Sequence, residues 1–305
     1  PITHTAGLAG GFLKPLIAGG SVCLMDAWNP SEALALIDRH RCTQATGATA
    51  FIAGMVEAYD PEVHDAASLR YFICGGAPVP ESTVAKVRDT LPNCKLIACF
   101  GQTEGLMVTS CLPEDPDIKT SSTDGRALDG VELEVRDDDG NRLPPNEVGQ
   151  IVYRSPGSMP GYWRNPAAMA AVDLPDGWRR TGDLGYLDAD GYCRITGREK
   201  DLIIRGGMNI SAREVEELIA QHPAVNSVAL VGLPDPILGE RGCAFVVTDR
   251  EVTLDELVRY LLDEHQLAKP KLPERLEIVD ELPMTPTGKV QKFALRESVL
   301  DSGRR

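Results

Sequence analysis

The sequence lacks the cysteine spacing, the long apolar run and the excess of positive charge that mark three large classes of protein. Its eight cysteines include no Cys-x-x-Cys pair, so we expect free thiols in the cytoplasm rather than a zinc cluster or a disulfide framework. The most apolar stretch, residues 6–25, is interrupted by Lys14, Pro15 and several glycines and has no basic start, which argues against a membrane span and a signal peptide. The net charge of −14 argues against a sequence-independent nucleic-acid partner.

The order of apolar and amphipathic segments predicts the architecture of residues 1–124. Predicted strands and helices alternate along the chain, which favours a mostly parallel sheet covered by helices on both faces. The predicted strands are Ser21–Asp26, Leu69–Cys74 and Lys95–Phe100, and the predicted helices are Pro30–His40 and residues 80–90.

The pattern changes near Gly125 and again near Lys200. Short strands on either side of a turn-rich Asp138–Asn141 segment predict an antiparallel barrel or a distorted sheet. The last part predicts helices at Ala212–Gln221 and Thr253–His265, and strands at Val225–Gly232, Cys243–Val247 and Leu276–Val279. We therefore predict an α/β and α+β fold with two domains. The large domain is 1–199, with residues 125–199 resembling a small β-barrel, and a small mobile α+β domain is 200–305.

The hexapeptide Phe100–Gly105 follows a predicted buried strand. Ligands gather at the carboxyl ends of parallel strands, where glycine allows a close approach of the backbone. The hydroxyl of Thr103 could bind a phosphate, and the carboxylate of Glu104 could hold Mg²⁺. The alternative is a plain turn from a strand to a helix.

A second glycine-rich segment, Gly75–Pro78, also follows a predicted strand. Its backbone, bare of large side chains, would let a flat ring or a substrate carbonyl lie against the main chain. A tight turn before a helix, with proline near the first helical turn, explains the same residues.

Two further motifs lie near the predicted domain boundary. Asp183 ends the Trp178–Asp183 segment and could accept hydrogen bonds from ribose hydroxyls, although an Asp after Gly is commonly part of a structural turn. The charged cluster Gly197–Asp201 either covers a solvated face or forms a hinge between domains.

The segment Leu282–Lys289 ends in Gly-Lys but is not a P-loop. A P-loop requires glycine five residues before Gly288 and Ser or Thr after the lysine, and this sequence has Pro283 and Val290 there. The remaining feature is a lysine on a loop stiffened by proline and glycine, which suits a charge that is carried into a distant site.

Together, these motifs resemble the adenylate-forming superfamily of acyl-CoA synthetases, peptide-synthetase adenylation domains and luciferases, over essentially the whole chain. The resemblance implies ATP or AMP, Mg²⁺, CoA and a small carboxylic acid as ligands. It also implies an acyl-CoA synthetase, an acid–thiol ligase that forms an acyl-adenylate and passes the acyl group to CoA. The sequences of Gly239–Val247 and Pro286–Lys292 are most similar to those of bacterial ligases for medium-chain, alicyclic or aromatic acids.

The resemblance also implies roles for single residues. Thr103, Glu104 and Lys289 would be catalytic, with Glu104 near Mg²⁺, and Lys200 would be the hinge. The expected nucleotide-binding residues are Gly76, Ala77, Pro78, Phe100, Gly101, Gln102, Thr103, Asp183, Arg198 and Lys289. The expected acyl-pocket residues are His4, Gly75 and Gly76, and those bordering the CoA channel are Arg205, Gly206 and Gly207.

One element of the family's pattern does not occur in the sequence. The family carries a Gly- and Ser/Thr-rich phosphate loop ending in Pro-Lys, upstream of the position that His4 matches. We therefore expect the chain to be the C-terminal portion of such an enzyme and to be inactive alone. Two other interpretations stay open: an adenylation enzyme that loads a carrier protein, and a truncated, non-catalytic fragment. The identity of the acid and the oligomeric state are also open.

Overall fold

A computed structural model describes residues 2–91, 93–285 and 289–302, which fall into two compact units. The first unit comprises Pro1–Thr181 and Gly185–Ile195, and the second comprises Gly182–Leu184 and Thr196–Arg305. The predicted domain boundary at residues 199 and 200 stays a prediction. Each unit has an apolar core of its own.

The helices of the first unit begin with an eight-residue π-helical segment, Ala6–Leu13, that continues directly into α1. The predicted helix at Pro30–His40 is confirmed as α2. The side chain of Asn29 caps it by accepting a hydrogen bond from the backbone N–H of Glu32 at 3.0 Å. The helices are α1 (Lys14–Ile17), α2 (Pro30–His40), α3 (Thr49–Ala58), α4 (Glu81–Thr90), α5 (Asp117–Ser122) and α6 (Pro166–Val172), with a 3₁₀ turn at Pro175–Gly177.

The first sheet has five strands in the order β1-β2-β3-β4-β5. The pairs β1–β2 and β2–β3 are parallel, whereas β3–β4 and β4–β5 are antiparallel. The structure thus confirms the strands expected near Leu69–Cys74 and Lys95–Phe100. The strands are β1 (Gln44–Gly47), β2 (Tyr71–Gly75), β3 (Lys95–Gln102), β4 (Leu106–Ser110) and β5 (Arg126–Ala127).

The predicted strand at Ser21–Asp26 is wrong. The segment is irregular, and Leu24 within it is 57% exposed. A strand is stabilised by hydrogen bonds to a neighbouring strand, and no strand pairs with this segment among the described residues. An apolar composition alone was therefore insufficient to predict its structure.

The second sheet has four strands in the order β6-β7-β8-β9. Its first and last strands do not pair in the described part of the chain, so the sheet is open and the expected barrel is not closed. Of the two structures that the sequence predicts here, a barrel or a distorted sheet, the open sheet is observed. Its strands are β6 (Glu132–Arg136), β7 (Gly149–Arg154), β8 (Arg179–Leu187) and β9 (Cys193–Arg198).

The third sheet lies in the second unit. Its order is β11-β10-β13-β12, with β14 parallel to β13. Thr253 caps α8 as its sequence predicts, because its hydroxyl accepts a hydrogen bond from the backbone N–H of Glu256 at 3.2 Å. The strands are β10 (Leu202–Arg205), β11 (Met208–Ser211), β12 (Val225–Asp235), β13 (Gly239–Thr248) and β14 (Arg275–Ile278).

The helices of the second unit pack apolar side chains onto this sheet. Val215 and Ile219 of one helix and Leu257 and Leu261 of another are fully buried, at the spacing of four residues that places side chains on one helical face. The helices are α7 (Ala212–Ile219), α8 (Leu254–Asp263) and α9 (Lys292–Ser302), with 3₁₀ turns at Glu199–Asp201 and Lys269–Lys271. Among the described residues, no helix combines the length and the apolar character that a membrane crossing requires.

Candidate functional site

Two of the predicted motifs leave adjacent parallel strands at the same edge of the first sheet. Gly75, the last residue of β2, is the register partner of Cys99 in β3. Gly75–Pro78 and Phe100–Glu104 therefore begin side by side at the carboxyl ends of their strands. A Cβ on Gly75 would lie 2.8 Å from the Sγ of Cys99, so the close pairing excludes a larger residue. Thr49 holds the first motif by donating a hydrogen bond to the carbonyl of Pro78 at 3.0 Å.

The hexapeptide forms the tip of a β-hairpin, and the alternative of a strand-to-helix turn is wrong. Gln102 pairs with Leu106 across β3 and β4, which leaves Thr103, Glu104 and Gly105 at the turn. A Cβ on Gly101 would overlap the carbonyl oxygen of Leu106. The hairpin thus requires glycine at this position, whatever ligand it binds.

Thr103 and Glu104 at this tip have partners far along the chain. The hydroxyl of Thr5 donates a hydrogen bond to the hydroxyl of Thr103 at 3.1 Å, and the Tyr162 hydroxyl donates one to Oε1 of Glu104 at 2.8 Å. Burial and this bond to the carboxylate raise the pKa of Tyr162 to about 12. Neither Thr5 nor Tyr162 was predicted, because their distance in the sequence gives no sign of the contact.

The remaining predicted residues of the first unit lie around these two motifs. Phe100 is half-buried and packs against a small apolar cluster that includes Ile151 and Ile195. Gly76 has φ = +86°, which glycine adopts without strain. The Nδ1 of His4 accepts a hydrogen bond from the backbone N–H of Ala6 at 3.2 Å. This nitrogen therefore helps to fix the local backbone turn.

In the second unit the structure brings Asp183, Arg198 and Lys289 together. Asp183 is only 4% exposed, and the Nε of Arg198 lies 2.9 Å from its Oδ1. Burial raises the pKa of Asp183, and Arg198 partly opposes that rise. Desolvation of the ammonium and the positive charge of Arg198 lower the pKa of Lys289, although Lys289 as a residue is exposed.

The base of the Lys289 loop is fixed by backbone hydrogen bonds. The N–H of Thr285 donates to the carbonyl of Lys289 at 2.8 Å, and the N–H of Gln291 donates to the carbonyl of Pro283 at 2.8 Å. Beyond the loop, the ammonium of Lys292 lies 2.7 Å from the carboxylate of Glu216. The predicted loop also includes residues 286–288, with Gly288 among them, and these lie outside the described residues.

The residues predicted to border the CoA channel have structural reasons of their own. Gly206 and Gly207 form the two-residue turn between β10 and β11, with φ = +58° and +81°. Such a turn needs positive φ at both central residues, which accounts for the glycine pair. Arg205 makes a two-pronged ion pair with Glu274, with N–O distances of 3.0 and 3.1 Å. The predicted hinge, Lys200, lies exposed in a 3₁₀ turn.

The expected Mg²⁺ requires oxygen ligands from acidic side chains. No group of three or more His, Cys, Asp or Glu side chains that could hold a metal occurs among the described residues. Glu104 is a single carboxylate, half-buried at the hairpin tip. Mg²⁺ in nucleotide sites is commonly bound by one or two carboxylates together with phosphate oxygens and water, so a lone glutamate fits this ion when ATP supplies the other ligands.

Comparison with known proteins gives two family matches. Residues 1–163 match the model of the AMP-binding enzyme family, and residues 214–289 match that of the AMP-binding enzyme C-terminal domain. The first match covers more than half of the chain.

Individual relatives match over nearly all of the chain. A medium-chain fatty-acid–CoA ligase of Escherichia coli is 36% identical over 98% of this chain and 53% of its own length. A 2,3-dihydroxybenzoate–AMP ligase of Bacillus subtilis is 35% identical over 98% of this chain and 56% of its own length. The crystal structure of ATP-bound MatB from Rhodopseudomonas palustris superposes with a TM-score of 0.89 at 34% identity, over 99% of this chain and 59% of that one. The chain thus spans little more than half the length of these relatives.

Proposed function

The chain belongs to the AMP-binding enzyme family, and on that premise we propose that the whole protein is an AMP-forming acyl-CoA synthetase. It activates a carboxylic acid with ATP and transfers the acyl group to CoA. The observation that supports this proposal is the parallel register of Gly75 with Cys99, since the two segments proposed to bind ligands begin at one sheet edge. The match of residues 1–163 to the AMP-binding family supports ATP as the ligand of that edge.

The first half-reaction is adenylation. A carboxylate oxygen of the acid attacks the α-phosphorus, the bond to the β-phosphate oxygen breaks, and pyrophosphate leaves. Negative charge accumulates on the transferring phosphoryl group, and the ammonium of Lys289 neutralises part of it. Mg²⁺ held by Glu104 would supply further positive charge to the phosphates. Thr103 offers its hydroxyl to a phosphate oxygen.

Each unit contributes its own candidate nucleotide-binding residues, which we assign separately. We assign the ribose hydroxyls to Asp183, whose buried carboxylate is already held by Arg198 at 2.9 Å. Arg198 is half-exposed, with 45% of its side chain accessible, so it can contact ribose or phosphate as well. The adenine is assigned to Phe100 and to the backbone of Gly76–Pro78, with Gly101 and Gln102 beside the α-phosphate.

The second half-reaction is thioester formation. The thiolate of CoA attacks the acyl carbonyl, and the bond to AMP breaks. We propose Lys200 as the hinge at which the domain 200–305 reorients between the two steps, and Arg205–Gly207 as a border of the CoA path. His4, Gly75 and Gly76 line the acyl pocket. The reaction belongs in the cytoplasm, where the eight cysteines, all free thiols, would stay reduced.

The acid is proposed to be medium-chain, alicyclic or aromatic. The similarity to a ligase named for medium-chain fatty acids and to one named for 2,3-dihydroxybenzoate supports this range. The second relative is named as an AMP ligase, with no CoA in its name. The alternative of an adenylation enzyme that loads a carrier protein therefore stays open.

A substrate panel on the full-length protein tests the proposal. Pyrophosphate release is measured for medium-chain, alicyclic and aromatic acids, with CoA, with a carrier protein and with neither. We expect acid-dependent release that CoA accelerates, together with an acyl-CoA product seen by mass spectrometry. Acceleration by the carrier protein alone would support the alternative. Absence of acid-dependent release with every acid would contradict the synthetase assignment.

A further inference from the structure

The hairpin tip that carries Glu104 is covered by a second segment of the first unit, Ser155–Tyr162. The backbone N–H of Met159 in this segment donates a hydrogen bond to the carbonyl of Glu104 at 2.8 Å. Gly157 lies close to the carbonyl of Gly105 on the same tip. The segment is therefore attached to the main chain of the turn as well as to its side chains. We call Ser155–Tyr162 the strap.

The strap is itself held by an arginine that is mostly buried. Arg179 donates a hydrogen bond from Nη1 to the carbonyl of Met159, and its Nε pairs with Oδ1 of Asp173 at 3.0 Å. Only 13% of the Arg179 side chain is exposed. Because a fixed guanidinium holds the backbone of the strap, Tyr162 at its end is presented to Glu104 from a defined position.

The side-chain contact with Glu104 uses one of its two carboxylate oxygens. The hydroxyl of Tyr162 donates to Oε1 at 2.8 Å. Within residues 2–91, 93–285 and 289–302, this carboxylate makes no other hydrogen bond or ion pair, so Oε2 is open to another ligand. A carboxylate that binds a metal through one oxygen is commonly oriented by a hydrogen bond to the other, because this limits its rotation.

We propose that Tyr162 is a positioning residue for Glu104, with its hydroxyl fixing Oε1 so that Oε2 can contact the Mg²⁺ that accompanies ATP. This inference rests on the proposed function, since it concerns the metal of the adenylation step. The tyrosine touches neither substrate nor metal and acts only through the carboxylate. Its removal should therefore weaken the contribution of Mg²⁺ without weakening the rest of the nucleotide site.

The chain offers a matched control in Tyr153. Its ring lies against Gly105 of the same hairpin tip, where a Cβ would meet it at 2.6 Å. Its hydroxyl is buried and has no hydrogen-bond partner in the described part of the chain. Tyr153→Phe and Tyr162→Phe thus remove the same atom beside the same turn, but only the second breaks a bond to Glu104.

The experiment measures binding of a non-hydrolysable ATP analogue to the full-length protein by calorimetry, with Mg²⁺ and with chelator. We expect Tyr162→Phe to reduce the gain in affinity that Mg²⁺ provides by about tenfold, the lower end of the range for groups that orient a metal ligand. Affinity in chelator should stay unchanged, and Tyr153→Phe should keep the whole gain. Melting temperatures verify that each variant is folded.

A double-mutant cycle separates positioning from a general structural effect. In a Glu104→Gln background, Tyr162→Phe should cause no further loss, because the carboxylate through which it acts is gone. Equal losses with Mg²⁺ and with chelator, or an unchanged gain in Tyr162→Phe, would overturn the role of Tyr162. If wild-type protein releases pyrophosphate in response to an acid, that result leaves the proposed function standing. Absence of such release overturns the proposed function itself.

Discussion

The two units hold their candidate site residues by different physical means. In the first unit the site is built largely from main chain, and glycines are required where strands and turns approach closely, as at Gly75 and Gly101. In the second unit the site is built from charged side chains, with Asp183 and Arg198 in an ion pair beside Lys289. The first arrangement depends on shape and the second on electrostatics.

This difference shows where substitutions should change stability and where they should change chemistry. A side chain added to a tightly packed glycine disturbs the fold before it disturbs catalysis. Removal of an exposed charge, in contrast, leaves the fold nearly unchanged and acts on the reaction. The five predictions below test this division.

The largest effect is expected from Lys289→Ala in the full-length protein. Loss of one preorganised positive charge should slow adenylation by ~10²–10³-fold or more. Pyrophosphate exchange measures this step, and the melting temperature should stay within the error of wild type. Lys269→Ala is the control, because Lys269 is an exposed lysine of the same unit with no assigned role. Unchanged exchange in Lys289→Ala would remove this lysine from the mechanism.

The pH dependence of adenylation provides a second test of the role of Lys289. The ammonium is the active form, and its pKa is lowered, so adenylation should begin to fall at a lower pH than an ordinary lysine would allow. In Lys289→Arg the guanidinium keeps its proton, so the alkaline decline should disappear from the normalised pH profile. A decline that persists in this variant must come from another group.

Gly101→Ala should produce the second-largest effect, which is a loss of stability. The added Cβ would overlap the carbonyl of Leu106, so the β3–β4 hairpin must shift. We expect the free energy of unfolding to fall by about 3 kcal/mol, the upper part of the range for overpacking. Chemical denaturation measures it. Gly54→Ala, where the nearest atoms lie 3.8 Å from the added Cβ in a helix, should instead stabilise by up to about 1 kcal/mol. Similar losses in both variants would contradict the steric argument.

Lys200→Pro should separate the two half-reactions. Proline restricts the backbone of the 3₁₀ turn at Glu199–Asp201, so thioester formation should suffer more than adenylation, by about tenfold or about 1.4 kcal/mol of activation free energy. Pyrophosphate exchange and acyl-CoA formation are measured side by side. Lys200→Ala, which keeps the backbone free, should affect neither step much. Equal losses in both half-reactions would count against a hinge at Lys200.

The smallest effect is expected from Glu274→Gln. This change breaks the two-pronged pair with Arg205, in which both side chains are about one-quarter exposed. The free energy of unfolding should fall by about 1 kcal/mol or less, as for partly solvated ion pairs. If Arg205 serves mainly to hold its turn, the KM for CoA should rise. If Arg205 instead acts on CoA directly, its release from Glu274 should leave that KM unchanged or lower it.

Local signals in the sequence predicted part of the regular structure. The helix at Pro30–His40 and the helix opened by Thr253 were found because their capping residues and apolar spacing are encoded within a few positions. Segments that depend on neighbouring strands were predicted less well. The short strand Gln44–Gly47 has no apolar run and exists by pairing with β2, and the apolar Ser21–Asp26 segment has no such partner among the described residues.

The candidate site divides in the same way. The residue types of the five motifs named its candidate side chains and glycines. Contacts between distant positions could not be predicted, because hydrophobic periodicity carries no information about which polar side chains meet. The bonds from Thr5 to Thr103 and from Tyr162 to Glu104 are of this kind.

The sequence by itself determined the family and the candidate site residues: the resemblance to the adenylate-forming superfamily, the charged residues Asp183, Arg198 and Lys289, and the glycines of the turns. These are properties of residue type and local spacing. Only the tertiary structure decided that Phe100–Gly105 is a hairpin tip and that Gly75 pairs with Cys99. It also decided that a strap fixed by Arg179 brings Tyr162 to Glu104. Register and packing arise from contacts between segments that are far apart in the chain, and local sequence does not encode them.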